Sequence, residues 1–211
     1  MKKIVLTGFE PFGGSNVNPS ILACNEFFDK KIGEYEFSIH EIPLRFEEIK
    51  ENIVRIIEKE KPQIIICTGQ SSRNVISLER VAINIADVSR SAYNCGAKPR
   101  DVILEEEGND GYFSNLPLRE IYDELIKNKI PVEISNSAGT YGCNQIFYHL
   151  MYILNLKGYK IPAGFVHVPS LPEQAVGKNI PSMSLELIVK ALKIIIEVTI
   201  TNSNKISLGS T

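Results

Sequence analysis

Cys143 opens a helix, and its setting points to chemistry. It follows Ser135-Asn136-Ser137-Ala138-Gly139-Thr140-Tyr141-Gly142, and the pattern after it reads as helix over 143–154. A thiol in the first helical turn faces unpaired backbone N–H groups and the positive end of the helix dipole. Both favour the thiolate, the nucleophilic form. The competing role for any single cysteine is a small buried hydrophobe. That role suits Cys67, inside Ile64-Ile65-Ile66-Cys67, and Cys24, on a helix with Leu22 and Phe27. Cys95 falls in a loop without a strand-to-helix turn. The four cysteines form no CxxC pair and stand at no zinc-ligand spacing from His40, His149 and His167, so no metal is expected.

A nucleophilic cysteine needs a base, and the base needs an orienting group. His149 follows Cys143 by six residues, which places it on another helix face about 9 Å along the axis. His40 sits mid-strand, where a surface or packing role is expected. His167 closes the strand 163–168 ahead of Pro169, so it can reach a site at the sheet edge on a rigid backbone. Glu79 starts an alternating stretch, 78–87, whose strand period places it on one face with Val81, Ile83 and Ile85. A carboxylate on an apolar face needs a partner. Two kinds are open: an arginine, Arg73 or Arg90, or an imidazole held in one tautomer.

The elements that must position these groups alternate between strand and helix. Strands are expected over 3–7, around Phe37 and Ile39 up to Pro43, and over 63–68, 78–87, 131–135 and 163–168. Helices are expected from Asn18-Pro19 to about 29, from 46 to just before Pro62, and over 118–126, 143–154 and 182–199, with solvated loop over most of 88–111. Most strands read as continuous apolar runs. The fold class is therefore α/β, a three-layer α/β/α sandwich with a largely parallel central sheet. One domain over 1–211 is expected, with a loose polar tail from about 201. Unusual residues gather at the ends of four strands, 8–18, 68–73, 135–143 and 167–169, and α/β sheets bind ligands at the carboxyl ends of their strands. In the last helix Ile194, Ile195, Ile196, Val198 and Ile200 point in several directions, more apolar surface than one core face needs. Part of it is expected between subunits.

Hydrophobic residues make up 44% and charged residues 23%, with a formal net charge of −2. This balance gives no reason to expect a nucleic-acid partner or an anionic membrane surface. No apolar run reaches the about 20 residues of a membrane helix, and the start Lys2-Lys3-Ile4-Val5-Leu6 is too short for a signal peptide. Cytoplasmic residence is the expectation.

Four blocks resemble the pyroglutamyl peptidase I (pyrrolidone carboxyl peptidase) family. They are Gly8-Phe9-Glu10-Pro11-Phe12-Gly13-Gly14 with Asn18-Pro19-Ser20, Glu79-Arg80-Val81-Ala82-Ile83-Asn84, Ser137-Ala138-Gly139-Thr140-Tyr141-Gly142-Cys143-Asn144, and Gly164-Phe165-Val166-His167-Val168-Pro169 with Pro172-Glu173-Gln174. They occur in the family's order, from Ile4 to about Ile195. The resemblance implies a cysteine peptidase that removes N-terminal pyroglutamyl residues from peptides. It implies Cys143 as nucleophile, His167 as general base and then acid, and Glu79 as its orienter. Gln70 and the Phe9 to Phe12 loop resemble the parts that hold the lactam ring, and Tyr141 adds an aromatic wall. Arg90 falls where the family carries an arginine, to assist the Cys143 N–H at the oxyanion. A homotetramer, with no metal or cofactor, is also implied. Two stretches depart from the family pattern. Ser91-Ala92-Tyr93-Asn94 lacks the usual Pro and Asp, and Ser71-Ser72-Arg73 replaces a Gly-rich run. Two other classes remain open: a Cys-His-Glu amidase or thioesterase of different specificity, and a non-catalytic binding module on the same fold.

Overall fold

The computed structural model describes residues 1–88 and 92–208, with side chains through residue 203. Its strands are β1 (Lys2–Phe9), β2 (Lys31–Ile32), β3 (Tyr35–Ile42), β4 (Ile64–Gln70), β5 (Ile76–Glu79), β6 (Val81–Ile83), β7 (Gly111–Phe113), β8 (Val132–Ser135) and β9 (Ala163–Val168). Its helices are α1 (Pro19–Asn25), α2 (Glu48–Glu60), α3 (Leu118–Lys127), α4 (Gly142–Leu156), α5 (Pro172–Ala175) and α6 (Leu185–Leu208). Seven strands form one sheet in the order β2-β3-β1-β4-β9-β5-β8, while β6 and β7 pair as a separate ribbon.

Strand pleating sends alternate residues to opposite faces, and here both faces are covered. Ile4, Leu6, Ile64, Ile66, Leu78, Val166 and Val168 pack with α1, α3 and α6. Val5, Ile65, Cys67, Ala163 and Phe165 pack with α2 and α4. The continuous apolar runs in the sequence are the direct consequence of this double burial.

The sheet is mixed. β3, β1, β4 and β9 run parallel, whereas β5 is antiparallel to β9 and β8 follows β5. The segment 135–143 therefore does not leave the same sheet edge as the other three candidate ends. β8 finishes beside Glu79, and residues 136–141 lead to the start of α4 with bonds to Arg80, Arg73 and Asp87 on the way.

Two further expectations are corrected. The stretch 78–87 is two strands: Glu79 ends β5 in the main sheet, and Val81 and Ile83 belong to the ribbon. Glu79 does not share a face with them. The break is enforced by pairing, because Arg80 N–H donates to Ser135 O while Asn144 on α4 bonds Ile83 N–H and the carbonyls of Ile83 and Ile85. The region expected to be a loose tail is helical to Leu208. Its Thr199, Thr201, Asn202 and Ser203 side chains donate to carbonyls one turn back, which satisfies them within the helix. α6 lies against α1 and α3: Ile194, Ile195 and Ile196 are buried, while Val198 and Ile200 pack on the same core and stay partly exposed.

Candidate active site

The site begins with a glycine. Gly69 in β4 lies in register with His167 in β9. A Cβ built on Gly69 would stand 2.7 Å from Cys143 Sγ and 2.8 Å from Phe165 Cζ. The sulfur thus occupies the space that any other residue at 69 would fill, one strand away from His167. Gly142 plays the same part for the backbone, letting the first turn of α4 settle against Leu44, Ile49 and Phe9.

Tyr141 is the N-cap of α4, in an extended conformation, and no side chain caps the helix. The first-turn N–H groups beside Cys143 therefore have no side-chain cap. Of the other cysteines, Cys24 and Cys67 are fully buried, and burial pushes each thiol up to about 12. Cys95 is exposed.

His167 is 5% exposed and Glu79 is fully buried. β5 runs antiparallel to β9 with Ser77 opposite His167 and Glu79 opposite Phe165. Glu79 is thus a diagonal neighbour of His167 on one sheet face. His167 Nδ1 lies 2.7 Å from Glu79 Oε1, which fixes the tautomer and turns Nε2 toward the sulfur. The ring stands edge-on to Phe165 at 4.9 Å. Burial pushes the imidazole down, but the Cys143 sulfur and the Glu79 carboxylate push it up by more, to about 9. At neutral pH His167 is therefore an imidazolium beside the Cys143 sulfur.

The two partners that the sequence leaves open for Glu79 are both present. Arg73 Nη1 donates to the same Oε1 at 2.6 Å, and Arg73 Nη2 donates to Ser137 O at 2.8 Å.

A family model described as pyroglutamyl peptidase matches residues 2–202. The chain belongs to the pyroglutamyl peptidase family. Its relatives include the pyrrolidone-carboxylate peptidase of Thermosipho africanus, 47% identical over 90% of this chain and 93% of that one. The protein of the same name from Fusobacterium nucleatum is 45% identical over 98% of this chain and 96% of its own. Among solved structures, pyrrolidone carboxyl peptidase from Thermococcus litoralis superposes with a TM-score of 0.92 at 37% identity, covering 97% of this chain and 96% of that one. Pyroglutamyl peptidase I from Bacillus amyloliquefaciens gives 0.90 at 39% identity, covering 94% of each. The mixed α/β/α sandwich is the architecture of this peptidase family.

Around the cysteine of this family member, the aromatic side chains divide the work. Phe9 is buried beneath the start of α4. Phe12 and Tyr141 are half-buried, with ring centroids 6.5 Å apart. Tyr141 is braced by its hydroxyl, which donates to Ala92 O at 2.9 Å, and by Tyr93 at 4.6 Å. The Gln70 amide is already engaged within the protein: Nε2 donates to Ser170 Oγ at 2.9 Å, and Oε1 accepts from Gln174 Nε2 at 3.3 Å. Gln174 Nε2 also reaches Ser15 Oγ at 3.0 Å, tying the 8–18 loop to the ends of β4 and β9. Glu10 faces inward, accepting from Leu44 N–H and Asn94 Nδ2, both at 2.8 Å. The altered segment around Asn94 is thereby anchored to the 8–18 loop. Arg90 lies outside the described residues.

The other histidines take structural positions. His40 contacts Ser38 Oγ at 2.9 Å. His149 Nδ1 lies 3.1 Å from Glu105 Oε1, and burial together with the Lys50 charge pushes its imidazole down to about 3. Glu105, read from sequence as part of a solvated acidic loop, is instead drawn onto α4 and α2, with Lys50 Nζ at 2.5 Å. Sequence reasoning missed the part of Gly69, whose signal was a glycine directly after an apolar strand. It also missed Gln174 and Asn144, whose side chains hold loops rather than line a cleft.

Proposed function

We propose that this chain is a cysteine peptidase that hydrolyses the bond after an N-terminal pyroglutamyl residue of peptides and proteins, as one peptidase domain. The observation that carries the reading is Cys143 Sγ seated over Gly69, beside a His167 whose Nδ1 is bound to buried Glu79. In this reading the Cys143 thiolate attacks the carbonyl that joins pyroglutamate to the next residue. First-turn N–H groups of α4 hold the oxyanion, assisted by Arg90. The His167 imidazolium protonates the leaving amine, and water activated by the neutral imidazole then releases the acid from the thioester. Glu79 orients His167 and stabilises its charged form.

Pyroglutamate has no free α-amine, so its pocket needs apolar walls and amide partners rather than an acid. Phe12 and Tyr141 are the walls, with Phe9 as the support beneath. With the Gln70 side chain engaged, the backbone near Gln70 is the better lactam partner: the β1–β4 ladder ends at Thr7 and Cys67. Glu10 is held away by its two donors, so no carboxylate welcomes an ammonium.

The test is wild-type enzyme against pyroglutamyl-, prolyl- and glutamyl-arylamides, with Cys143→Ser alongside. Prolyl and glutamyl substrates should be at least about 10³ slower, since a site built to hydrogen-bond a group rejects its absence. Cys143→Ser should lose several orders of magnitude with its circular dichroism unchanged. Near-native turnover by Cys143→Ser would end the nucleophile assignment. Equal kcat/KM for prolyl and pyroglutamyl substrates would leave a cysteine hydrolase of other specificity.

Two further assignments belong to the same reading. No helix among the described residues is long and apolar enough to cross a membrane, in keeping with action in the cytoplasm. The chain is also proposed to self-associate, as a homotetramer. The partly buried Val198 and Ile200 of α6 support this assignment, as do Phe113 on the ribbon, 70% exposed, and Ile103, 52% exposed.

A further inference from the structure

We infer that Arg73 is a positioning residue for this reaction: one guanidinium nitrogen holds the Glu79 carboxylate, the other holds the loop that carries the nucleophile, and its charge limits how far Glu79 favours the His167 imidazolium. The inference rests on the proposed Cys143, His167 and Glu79 assignment.

Three distances carry it. Glu79 Oε1 accepts from Arg73 Nη1 at 2.6 Å and contacts His167 Nδ1 at 2.7 Å, so a single oxygen serves both cations. Glu79 Oε2 is buried without a hydrogen-bond partner among the described residues, leaving that shared oxygen as the carboxylate's one polar link. Arg73 Nη2 reaches Ser137 O at 2.8 Å, six residues before Cys143. A planar fork suits two acceptors set at a fixed angle; an ammonium does not reproduce it. The side chain of Arg73 is 33% exposed while Glu79 is fully buried, so the cation reaches in from the surface to meet the acid. The titratable groups around His167 are Cys143 from α4 and Glu79 from β5. Arg73, from the segment after β4, shares Glu79 Oε1 with His167. Glu133 from β8 lies 3.5 Å from Arg73 Nη1 and also accepts from Ser77 Oγ at 2.7 Å.

A cation on the same Glu79 oxygen disfavours a second cation on His167. Removing it should raise the pH at which the imidazolium is lost; a purely structural ion pair would not move that limb.

The experiment is kcat and KM on a pyroglutamyl-arylamide from about pH 5 to 10, for wild type, Arg73→Met, Arg73→Gln and Arg73→Lys, with thermal melts. The two neutral variants should lower kcat about 10- to 100-fold with KM within about 3-fold, and move the basic limb up by about one pH unit. Arg73→Lys should keep the limb at its wild-type position while kcat falls about 10-fold, because charge is kept and the fork is lost. Arg73→Gln keeps donors and serves should Arg73→Met fail to fold. A neutral variant that melts lower but has an unmoved limb and wild-type kcat overturns the inference, leaving Arg73 as a structural ion pair. Wild-type cleavage and its loss in Cys143→Ser are measured in the same series. If those fail, the catalytic assignment itself falls, and the inference with it.

Discussion

Replacing Glu79 by Gln removes one charge from a buried site and changes little else in shape. At an effective dielectric of about 20, opposite charges about 4 Å apart attract by about 4 kcal/mol, so losing the carboxylate should lower the His167 pKa by about 2 to 3. That returns the imidazole from about 9 to the ordinary histidine range near about 6.5. The sign follows from the raised value. In the wild type the imidazolium persists through neutral pH and is lost as pH rises through about 9, so the basic limb of activity should lie there. In Glu79→Gln that limb should move down, leaving about a tenth of the enzyme in the charged form near pH ~7.5. Orientation suffers as well. The amide must place its NH2 where Oε2 now lies, with no acceptor among the described residues, or against two donors, Arg73 and His167. Misoriented triads lose up to about 10⁴; the combined fall in kcat/KM should be at least about 10² near neutral pH and smaller in mild acid, where the population loss is recovered. Hydrolysis of a pyroglutamyl-arylamide across pH measures both parts. A fully active variant with an unmoved basic limb would refute the reasoning and return Glu79 to a structural role with Arg73.

Gly69→Ala puts a methyl group 2.7 Å from Cys143 Sγ and 2.8 Å from Phe165 Cζ; melts and kinetics should show about 1–3 kcal/mol lost to overpacking and a fall in kcat/KM larger than that loss of stability explains. Phe12→Ala removes a ring contact made throughout the reaction, so KM should rise about 10-fold with kcat nearly unchanged; an equal loss in kcat alone would place Phe12 elsewhere in the mechanism. Light scattering at micromolar concentration should report a mass well above the 23.6 kDa chain, and a monomer would refute self-association.

The placement of Cys143 at a helix start and of His167 near a strand end was legible in the sequence because those signals are local. A Gly-rich turn before a helical period marks the thiol, and Pro169 after an apolar run marks the end of the histidine's strand. The buried strands were equally plain, since sheets covered on both faces demand continuous apolar runs. The pairing of those strands was not. Glu79 lies 88 residues from His167, and the alternation that drew attention to it belongs to a different sheet, because periodicity carries no information about where a strand changes partner. The reversal of β5 and β8, which sets Glu79 diagonally beside His167, depends on long-range ladders. The same holds for α6, whose buried turns face α1 and α3, and for Arg73, whose two acceptors come from different strands' ends. Local sequence determines which groups are able to react and which elements carry them. Only tertiary packing decides which charges share an oxygen, because a buried carboxylate takes whichever donors the fold brings within about 3 Å.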